Sequence, residues 1–434
     1  MSEASDFLNA QAAQRGADSE VWENAQETDE LVCRDGMVER RTATAATATA
    51  LTVWKDGGEG YAVHIPGGAD ASLVDTALAV GRALGPAGAP PARPATPAAG
   101  PDPLADPRLD ETVARRLAKL TAGHADVNVE LRARADRSRV LLHRAGCAPL
   151  SHVTGTFQLQ ARVTAKGRRV GFIAHQMFGR SVDAVLEDVE GTELDELTAL
   201  ARVLASAPVP RLSHDDVLVD GRVLAKLFML AVPAFQRDSV LEGRSVLADR
   251  VGERIGTPGL SLVDDPTAAD SPLPVPWDDE GTACRPTTLI EDGVLRGFLS
   301  SRRTAAAAGA VSTGSGRRGP SGEMPTVQPG FLALRPATLM GGAPLAGRTL
   351  LKVVQANGAH TSNAITGDFS IGANAVLVTP DGTPHNAGNI TVAGNVFDLL
   401  GRIDGHDGLP RLNRSHTSFI ATPGVWTSSL TIGR

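Results

Sequence analysis

The stretch NAITGDFSIGANAVLV, residues 363–378, begins with small polar residues and glycines and ends in a short apolar strand, Ala375 to Val378. Gly367 and Gly372 permit backbone turns that other residues adopt only with strain. The stretch contains no His, Cys or Lys that would carry out a reaction. It indicates a loop held in a fixed shape beside a strand, so the chemistry has to be sought in the rest of the chain.

Composition limits the classes of protein. Of the 434 residues, 42% are apolar and 21% charged, which is typical of a soluble globular protein of two or three domains. The net charge of −7 argues against a nucleic-acid-binding protein, which needs a basic face to offset phosphates. No run approaches the ~18 apolar residues of a membrane span, the N-terminus does not resemble a signal peptide, and the three scattered cysteines favour reduced thiols. We expect a cytoplasmic protein that binds neither nucleic acid nor membrane.

The first half alternates hairpins with helices. Asp-Gly pairs at 35–36 and 56–57 each separate two strand-like runs, and Asp-Gly is a strong hairpin signal. Ser72 is predicted to cap a helix. Residues 127–133 and 139–145 are predicted to form two strands.

The second half is mostly short strands joined by Gly, Pro and Asp turns. A helix is predicted to start at Asp220 and to end near Pro233, because proline lacks the N–H donor that a helix interior needs. Asp292-Gly293 marks another hairpin, and Asn395 is predicted to cap a short helix.

These patterns predict an α+β fold. Residues 1–20 are expected to be a flexible N-terminus, residues 21–210 a mixed α/β domain and residues 211–434 a β-rich, barrel-like domain. The proline-containing stretch 208–213 marks the boundary. Residues 85–107 are rich in Pro, Ala and Gly and are predicted to be a flexible insertion in the first domain.

No self-sufficient active site emerges from the residues. None of the ten histidines sits in an HExxH or related zinc spacing. Asp278, Asp279 and Glu280 concentrate three carboxylates that could bind a hard cation. A polar turn before the hairpin at 287–299 is the favoured interpretation.

Residues 314–319, GSGRRG, match the pattern GxGxxG literally. They follow an alanine-rich, helix-like run rather than a strand, so the pattern lacks the context in which it binds a dinucleotide. A mobile glycine loop is the better interpretation. Its backbone N–H groups, Arg317 and Arg318 would be available to a carboxylate or to the end of a peptide.

Five segments that follow one another in a fixed order resemble the TldD/TldE (PmbA) family. They are WDDEGTACRPTTLIEDGVLRGFL (277–299), STGSGRR (312–318), PTVQPGFLAL (325–334), NAITGDFSIGA (363–373) and NITVAGNVFDLL (389–400). The resemblance covers most of the chain and is most specific after residue 210.

The resemblance implies a zinc metallopeptidase built from two kinds of subunit. TldD-type subunits hold zinc with an HExxxH helix and a later cysteine, whereas TldE-type subunits lack these ligands and pair with TldD to cleave extended or unfolded peptides. Here the corresponding residues, 226–233, read KLFMLAVP, with Phe228, Met229 and Pro233 near the positions of the two histidines and the glutamate, and no cysteine occurs in 404–424. The resemblance therefore implies a TldE-like chain without catalytic residues or metal of its own, with zinc in a TldD-type partner.

The same resemblance places the stretch quoted first in the domain that faces the partner and the peptide channel. Its polar side chains can bind a peptide backbone or can only fix the loop, and the sequence favours neither. The candidate substrate-channel or interface residues are Thr313, Gly314, Ser315, Arg317, Arg318, Asn363, Thr366, Asp368, Phe369, Ser370 and Asn395.

Two departures from the family suggest a specialised copy. The insertion at 85–107 and the low aromatic content, 4%, would suit a subunit that trims a modified peptide or an amino-acid conjugate in natural-product biosynthesis. Two other functions stay open. One is a non-enzymatic, protein-binding regulator of the gyrase-modulator type, and the other is a homodimeric hydrolase that uses Asp278, Asp279 and His360.

Overall fold

The structure, a computed structural model, describes residues 3–64, 70–85, 107–123, 125–337, 347–358, 362–415 and 418–434. The helices are α1 (Glu3–Gln14), α2 (Ala71–Leu84), α3 (Glu111–Thr121), α4 (Val182–Asp188), α5 (Leu194–Ala205), α6 (Gly221–Phe228), α7 (Arg237–Leu241), α8 (Arg302–Ala307) and α9 (Val396–Leu400), with a π-helical segment at Val189–Glu193 and a 3-10 segment at Val232–Phe235.

The strands divide between the two halves of the chain. Those of the N-terminal half are β1 (Asp18–Arg34), β2 (Met37–Lys55), β3 (Gly58–His64), β4 (Val127–Arg144), β5 (Leu150–Lys166) and β6 (Val170–Gly179). Those of the C-terminal half are β7 (Asp216–Val219), β8 (Ser261–Asp264), β9 (Thr287–Glu291), β10 (Val294–Leu295), β11 (Gly316–Arg317), β12 (Thr326–Val327), β13 (Phe331–Arg335), β14 (Leu350–Asn357), β15 (Asp368–Val378), β16 (Pro384–Asn395), β17 (Ile403–His406), β18 (Arg411–Ser415), β19 (Ser418–Thr422), β20 (Val425–Thr427) and β21 (Thr431–Gly433).

The N-terminal half is one antiparallel sheet in the order β3-β2-β1-β4-β5-β6. Its first two hairpins turn at the predicted Asp-Gly pairs. Asp35 and Asp56 have φ angles of 51° and 49°, a left-handed conformation that Asp tolerates better than most residues, and a glycine follows each. Both hairpin predictions are confirmed.

The sheet has two different faces because successive side chains of a strand point in opposite directions. One face packs against α3 and α5 through an apolar core that includes Leu131, Phe157 and Leu197. The opposite face carries Trp22 and meets Trp277 of the C-terminal half. The C-terminal half therefore rests on the face that the helices leave uncovered.

The C-terminal half contains two curled half-barrel sheets, as the β-rich, barrel-like prediction states. Their strand orders are β17-β20-β7-β14-β15-β16-β21 and β10-β9-β8-β13-β19-β18. Leu332 and Leu351, one from each sheet, belong to a shared apolar core, together with Leu224 and Phe228 of α6. A separate two-stranded ladder joins β11 to β12.

Two predictions near the N-terminus are wrong. The expected flexible stretch 1–20 contains helix α1, whose Leu8 and Ala12 are fully buried in an apolar cluster with β1 and α2. Helix α2 is capped by Asp70 rather than by Ser72, since the Asp70 carboxylate accepts the backbone N–H of Ser72 over 2.7 Å. The capping residue lies two positions earlier than the sequence pattern indicated.

Two further elements differ from prediction in length. The strands predicted at 127–133 and 139–145 are one continuous strand, β4, because it pairs with both β1 and β5 through the polar residues between them. Helix α6 begins after Asp220, as predicted, and Asp220 caps it by accepting the N–H of Arg222. The helix ends at Phe228, and a 3-10 segment accommodates Pro233 in its first turn.

The predicted boundary at 208–213 lies between β6 of the N-terminal sheet and β7 of the seven-stranded sheet. Most of the predicted insertion, residues 86–106, lies outside the described residues. Among the residues that the structure describes, the helices are too short or too polar to span a membrane.

Gly171 provides a test of how α5 packs on β6. A Cβ atom on Gly171 would lie 2.1 Å from the carbonyl oxygen of Ala201 and 2.5 Å from the backbone nitrogen of Ala205. We expect Gly171→Ala to lower the free energy of unfolding by about 1–3 kcal/mol, because the helix must move away from the sheet. Chemical denaturation measures the change.

The matched control is Gly372→Ala in β15, where the nearest atom to an added Cβ is 4.0 Å away. Its effect should stay within about 0.5 kcal/mol. Equal losses in the two variants would contradict the close approach of α5.

Candidate functional site

The carboxylate turn at residues 278–281 and strand β11 form one buried unit. The Gly316 N–H donates to Oδ2 of Asp278 over 2.8 Å. The Arg318 N–H donates to Oδ2 of Asp279 over 2.9 Å. The structure thus brings together two segments that the sequence had singled out separately.

Asp278 anchors this unit. It is fully buried, and its Oδ1 accepts the N–H groups of Glu280 and Thr282 over 3.1 and 2.8 Å. Both carboxylate oxygens are therefore occupied by backbone donors. The polar turn favoured by the sequence is present, since the Gly281 N–H donates to the carbonyl oxygen of Asp278 over 2.9 Å, but its residues Asp278 and Glu280 are buried. Within the described ranges no group of three or more His, Cys, Asp or Glu could hold a metal ion.

Arg302, the first residue of α8, links the turn to the N-terminal sheet. Its guanidinium pairs with Glu20 over 2.7 Å, and the two side chains are only 12% and 1% exposed. Its backbone N–H donates to Oε2 of Glu280 over 2.6 Å. The indole N–H of Trp22 adds a second link by donating to Asp279 over 3.0 Å.

Burial changes the protonation of these carboxyl groups. Removal from water, reinforced by the charge of Asp278, raises the pKa of Glu280 to about 7. Burial also raises the pKa of Asp264 to about 6, although the charge of Arg317 and two backbone N–H groups act in the opposite direction. These shifts keep the proton of Glu280 bound to a higher pH than in a solvent-exposed glutamate, and the same holds for Asp264.

Arg317 and Arg318 are buried, only 7% and 4% exposed. Arg317 donates to the carbonyl oxygen of Gly314 over 3.4 Å and to Sγ of Cys284 over 3.3 Å. Arg318 donates to the hydroxyl of Tyr61 over 2.8 Å. The prediction of a mobile loop is wrong, because the strand ladder and these bonds fix the segment. Burial raises the pKa of Cys284 to about 11, so its thiol stays protonated.

The residues before β11 shape the edge of the unit. The hydroxyl of Thr313 donates to the carbonyl of Ser300 over 3.1 Å and shares a hydrogen bond of 2.8 Å with the hydroxyl of Ser315. Gly314 has a φ of 75°, and a Cβ there would lie 2.8 Å from the carbonyl oxygen of Ala283. This position therefore requires glycine for both conformation and space.

The other predicted residues form a separate surface cluster. The side-chain oxygen of Asn363 accepts backbone N–H groups two and three residues further on. The hydroxyl of Thr366 donates to Asp368 over 2.7 Å, and the amide of Asn395 donates to the same carboxylate over 2.8 Å. The Asn395 oxygen accepts the N–H of Phe397 over 2.9 Å, which confirms the predicted cap of α9.

Two residues of this cluster differ in accessibility. Phe369 is 4% exposed and belongs to the C-terminal core, so its ring is not available to a peptide. Ser370 points to the exposed side of β15. Ser370 and the polar loop before it are therefore accessible candidates for the substrate channel or the interface. Their role there stays a prediction.

A second buried charge cluster was not indicated by the sequence. Nδ1 of His175 lies 2.8 Å from Oε1 of Glu193, which also pairs with Arg222, and Arg411 lies 3.5 Å from Oε2. Although burial acts in the opposite direction, His175 and Arg222 lower the pKa of Glu193 to about 2. Glu193 ends the π-helical segment between α4 and α5, an irregularity that hydrophobic periodicity does not reveal. The cluster joins this segment to the start of α6.

Residues 226–233, which the resemblance aligns with the zinc-binding helix of TldD-type subunits, lie at the end of α6 and in the segment that follows it. Phe228 is fully buried, and its ring centre lies 6.2 Å from that of Phe235. The nearby Lys226 is largely buried, and burial lowers its pKa. Residues 226–233 supply no imidazole, thiolate or carboxylate, the ligands that zinc takes in proteins.

Residues 213–434, about half of the chain, match the family model described as PmbA/TldA metallopeptidase C-terminal domain. The chain therefore belongs to this metallopeptidase family, and the resemblance inferred from the five segments is confirmed.

Individual relatives agree with this assignment. A metalloprotease of Methanothermobacter thermautotrophicus is 29% identical over 225 residues, which cover 50% of this chain and 48% of the relative. Metalloprotease PmbA of Escherichia coli O157:H7 is 26% identical over 224 residues, 51% of this chain and 48% of the relative. The chain thus spans about half the length of the curated relatives it matches.

Solved structures share the whole fold. TldE from Thermococcus kodakarensis superposes with a TM-score of 0.86 over 99% of both chains, at 19% identity. A Thermotoga maritima MSB8 protein, described as a candidate modulator of a DNA gyrase, superposes with a TM-score of 0.81 over 99% of both chains, at 20% identity.

Glu280 should give the stability of the protein a pH dependence of known sign. The unfolded chain loses this proton near its ordinary pKa of 4.5, whereas the folded protein holds it up to about pH 7. Between these values the folded state binds more protons, so the free energy of unfolding falls as the pH rises, by roughly 3 kcal/mol for a shift of this size. Glu280→Gln should remove the part of the decline that Glu280 contributes and leave the part that Asp264 contributes. Urea denaturation between pH 4.5 and 8 measures the slope.

Glu253→Gln is the matched control, because this side chain is 57% exposed and lies on the surface. The control should keep the wild-type slope. A Glu280→Gln variant with an unchanged slope would contradict the raised pKa.

Asn395→Ala tests the structural role of the surface cluster. We expect the free energy of unfolding to fall by about 1–2 kcal/mol, since α9 loses its cap. Ser370→Ala, at an exposed site, should change it by less than about 0.5 kcal/mol. Thermal and chemical denaturation compare the two, and an Asn395→Ala variant as stable as wild type would contradict the role of the cap.

Proposed function

We propose that this chain is the non-metal-binding, TldE-like subunit of a zinc metallopeptidase that a TldD-type partner completes. One observation carries the proposal. The chain belongs to a metallopeptidase family, yet residues 226–233 supply no metal ligand. Zinc needs three protein ligands and an open position to activate water, so these would come from another chain. The likeness of the fold to that of TldE from Thermococcus kodakarensis supports this assignment.

In the proposed complex, residues of the TldD-type partner would hold the zinc ion, which would activate water for attack on a peptide or amide bond. The present chain contributes substrate binding and the wall of the channel. Its exposed polar groups near Thr366 and Ser370 offer hydrogen bonds to an extended peptide backbone. We place the complex in the cytoplasm, without nucleic acid or membrane as partner.

The substrate class is that of extended or unfolded peptides. The insertion at 85–107 and the few aromatic residues are the basis for a narrower proposal, in which the complex trims a modified peptide or an amino-acid conjugate in natural-product biosynthesis. Comparable cleavage of unrelated unfolded peptides, with little discrimination, would contradict this narrower role.

The two alternative functions have unequal support. A non-enzymatic regulator is favoured only by the description of the Thermotoga protein as a candidate gyrase modulator, and the likeness to that protein shows the fold alone. The homodimeric hydrolase has lost support, because Asp278 is buried and both of its oxygens accept backbone donors. Asp279 is likewise engaged, and His360 lies outside the described residues.

Peptide cleavage tests the proposal. We expect the purified chain to be inactive on an unfolded test peptide, and the complex formed by co-expression with the TldD-type protein encoded nearest to it to be active. A partner variant with the HExxxH glutamate replaced by Gln is the matched control, since it should assemble without cleaving. Cleavage by this chain alone would favour a hydrolytic site of its own, and a complex that never cleaves would favour a regulator.

A further inference from the structure

A cavity of about 240 Å³ lies between the N-terminal sheet and the C-terminal half. At about 30 Å³ for each water of the liquid, this is room for about eight waters, or for one or two peptide residues. Its floor is the face of β1, β4 and β5 that the helices leave uncovered. Two cross-strand rows of this floor are Asn24, Val140 and His152, and Gln26, Ser138 and Thr154.

Two buried guanidinium groups line the cavity from the C-terminal side. Arg317 and Arg318 are 7% and 4% exposed. Their hydrogen-bond partners are carbonyl oxygens, a thiol and a phenol, and no carboxylate oxygen of the described residues lies within ion-pair distance of either. Nε of Arg318 is buried and has no partner in the described part of the chain. Buried charges are ordinarily paired. The charges of Asp279 and Asp278 act on Arg317, so Arg318 is the guanidinium that indicates an anion from outside the chain.

The floor offers neutral groups beside these charges. Thr154 and Thr156 line the cavity and are 7% and 2% exposed. Burial lowers the pKa of His152 to about 4, so its ring is neutral at pH 7. Nδ1 of this ring is buried and lacks a partner within the described ranges. A neutral imidazole and two hydroxyls can donate to or accept from an amide group.

The acidic residues of the wall do not cancel this preference. Asp136 is paired with Arg134 over 2.8 Å and with Arg414 over 3.1 Å. Asp279 accepts the indole N–H of Trp22 and a backbone N–H. Both carboxylates are occupied by partners of this chain, whereas Arg318 has no carboxylate of the described residues within ion-pair distance.

We infer that the cavity binds the carboxylate of a peptide, with Arg318 holding the carboxylate and His152 and Thr154 contacting the adjoining amide. The choice of a peptide as carrier rests on the proposed function, whereas the carboxylate follows from the cavity itself. The carboxylate can belong to the end of the chain or to an acidic side chain, which have the same chemistry.

Isothermal titration calorimetry on the full chain alone tests this site. The probes are N-acetyl-Ala-Ala with a free acid, the same dipeptide as its C-terminal amide, and N-acetyl-glutamate as its α-amide. We expect one molecule of the acid to bind per chain and the dipeptide amide to bind at least about tenfold more weakly, as expected for loss of a charge-assisted hydrogen bond. The glutamate probe distinguishes the two sources, since only an acidic-side-chain site would bind it as well as the acid.

Variants assign the binding to this cavity. Arg318→Gln should weaken binding of the acid at least about tenfold, Arg318→Lys less, and Thr154→Val by about threefold. Arg250→Gln, at a surface arginine that is 41% exposed, is the matched control and should bind as wild type. Thr154→Val leaves the charges in place, so it serves if Arg318→Gln does not fold, which circular dichroism reports.

Absence of saturable binding would overturn the inference, as would equal binding of acid and dipeptide amide or unchanged binding in Thr154→Val. These measurements need neither partner nor cleavage. A failure here therefore leaves the proposed peptidase complex standing, and an inactive complex leaves the binding result standing.

Discussion

The buried ion pair between Arg302 and Glu20 joins the two halves of the chain and positions the carboxylate turn between them. Removing one partner of such a pair leaves an uncompensated buried charge, which is strongly destabilising. The pair therefore fixes where α8 sits on the N-terminal sheet. Because the Arg302 backbone also bonds Glu280, the carboxylate turn is positioned by the same contact. Strand β11 follows, since Asp278 holds its first N–H.

The contacts of Arg302 with Glu20 and Glu280 also influence the electrostatics of the candidate site. The carboxylates of the turn accept backbone N–H groups and thereby stabilise its conformation. Glu280 retains its proton to about pH 7. Arg317 and Arg318 both line the cavity, and Arg318 has no carboxylate of the described residues within ion-pair distance. A segment that is fixed for structural reasons thereby presents positive charge to the space between the halves. The contacts between the two halves therefore also position the arginine that we propose binds an anionic ligand.

Much of the fold could be predicted where the signal is local. The Asp-Gly hairpins, the helix start at Asp220, the Asn395 cap and the ordered family segments depend on neighbouring residues, and the structure or the comparisons confirm them. The burial of the carboxylate turn could not be predicted, because Arg302 meets a partner 282 residues away in the chain. Three adjacent acids look solvated until that partner is known. Likewise, the His175–Glu193 contact depends on a π-helical segment, and the continuity of β4 depends on its neighbours in the sheet.

We propose that the zinc ion is bound by a TldD-type partner and not by this chain, and the metal content of the purified complex distinguishes the two. The measurement is zinc per chain, by elemental analysis of the size-exclusion peaks of this chain alone and of the chain co-expressed with its TldD-type neighbour. We expect one zinc per heterodimer and none on this chain alone. Stoichiometric zinc on the isolated chain would contradict the proposal that the partner binds the metal.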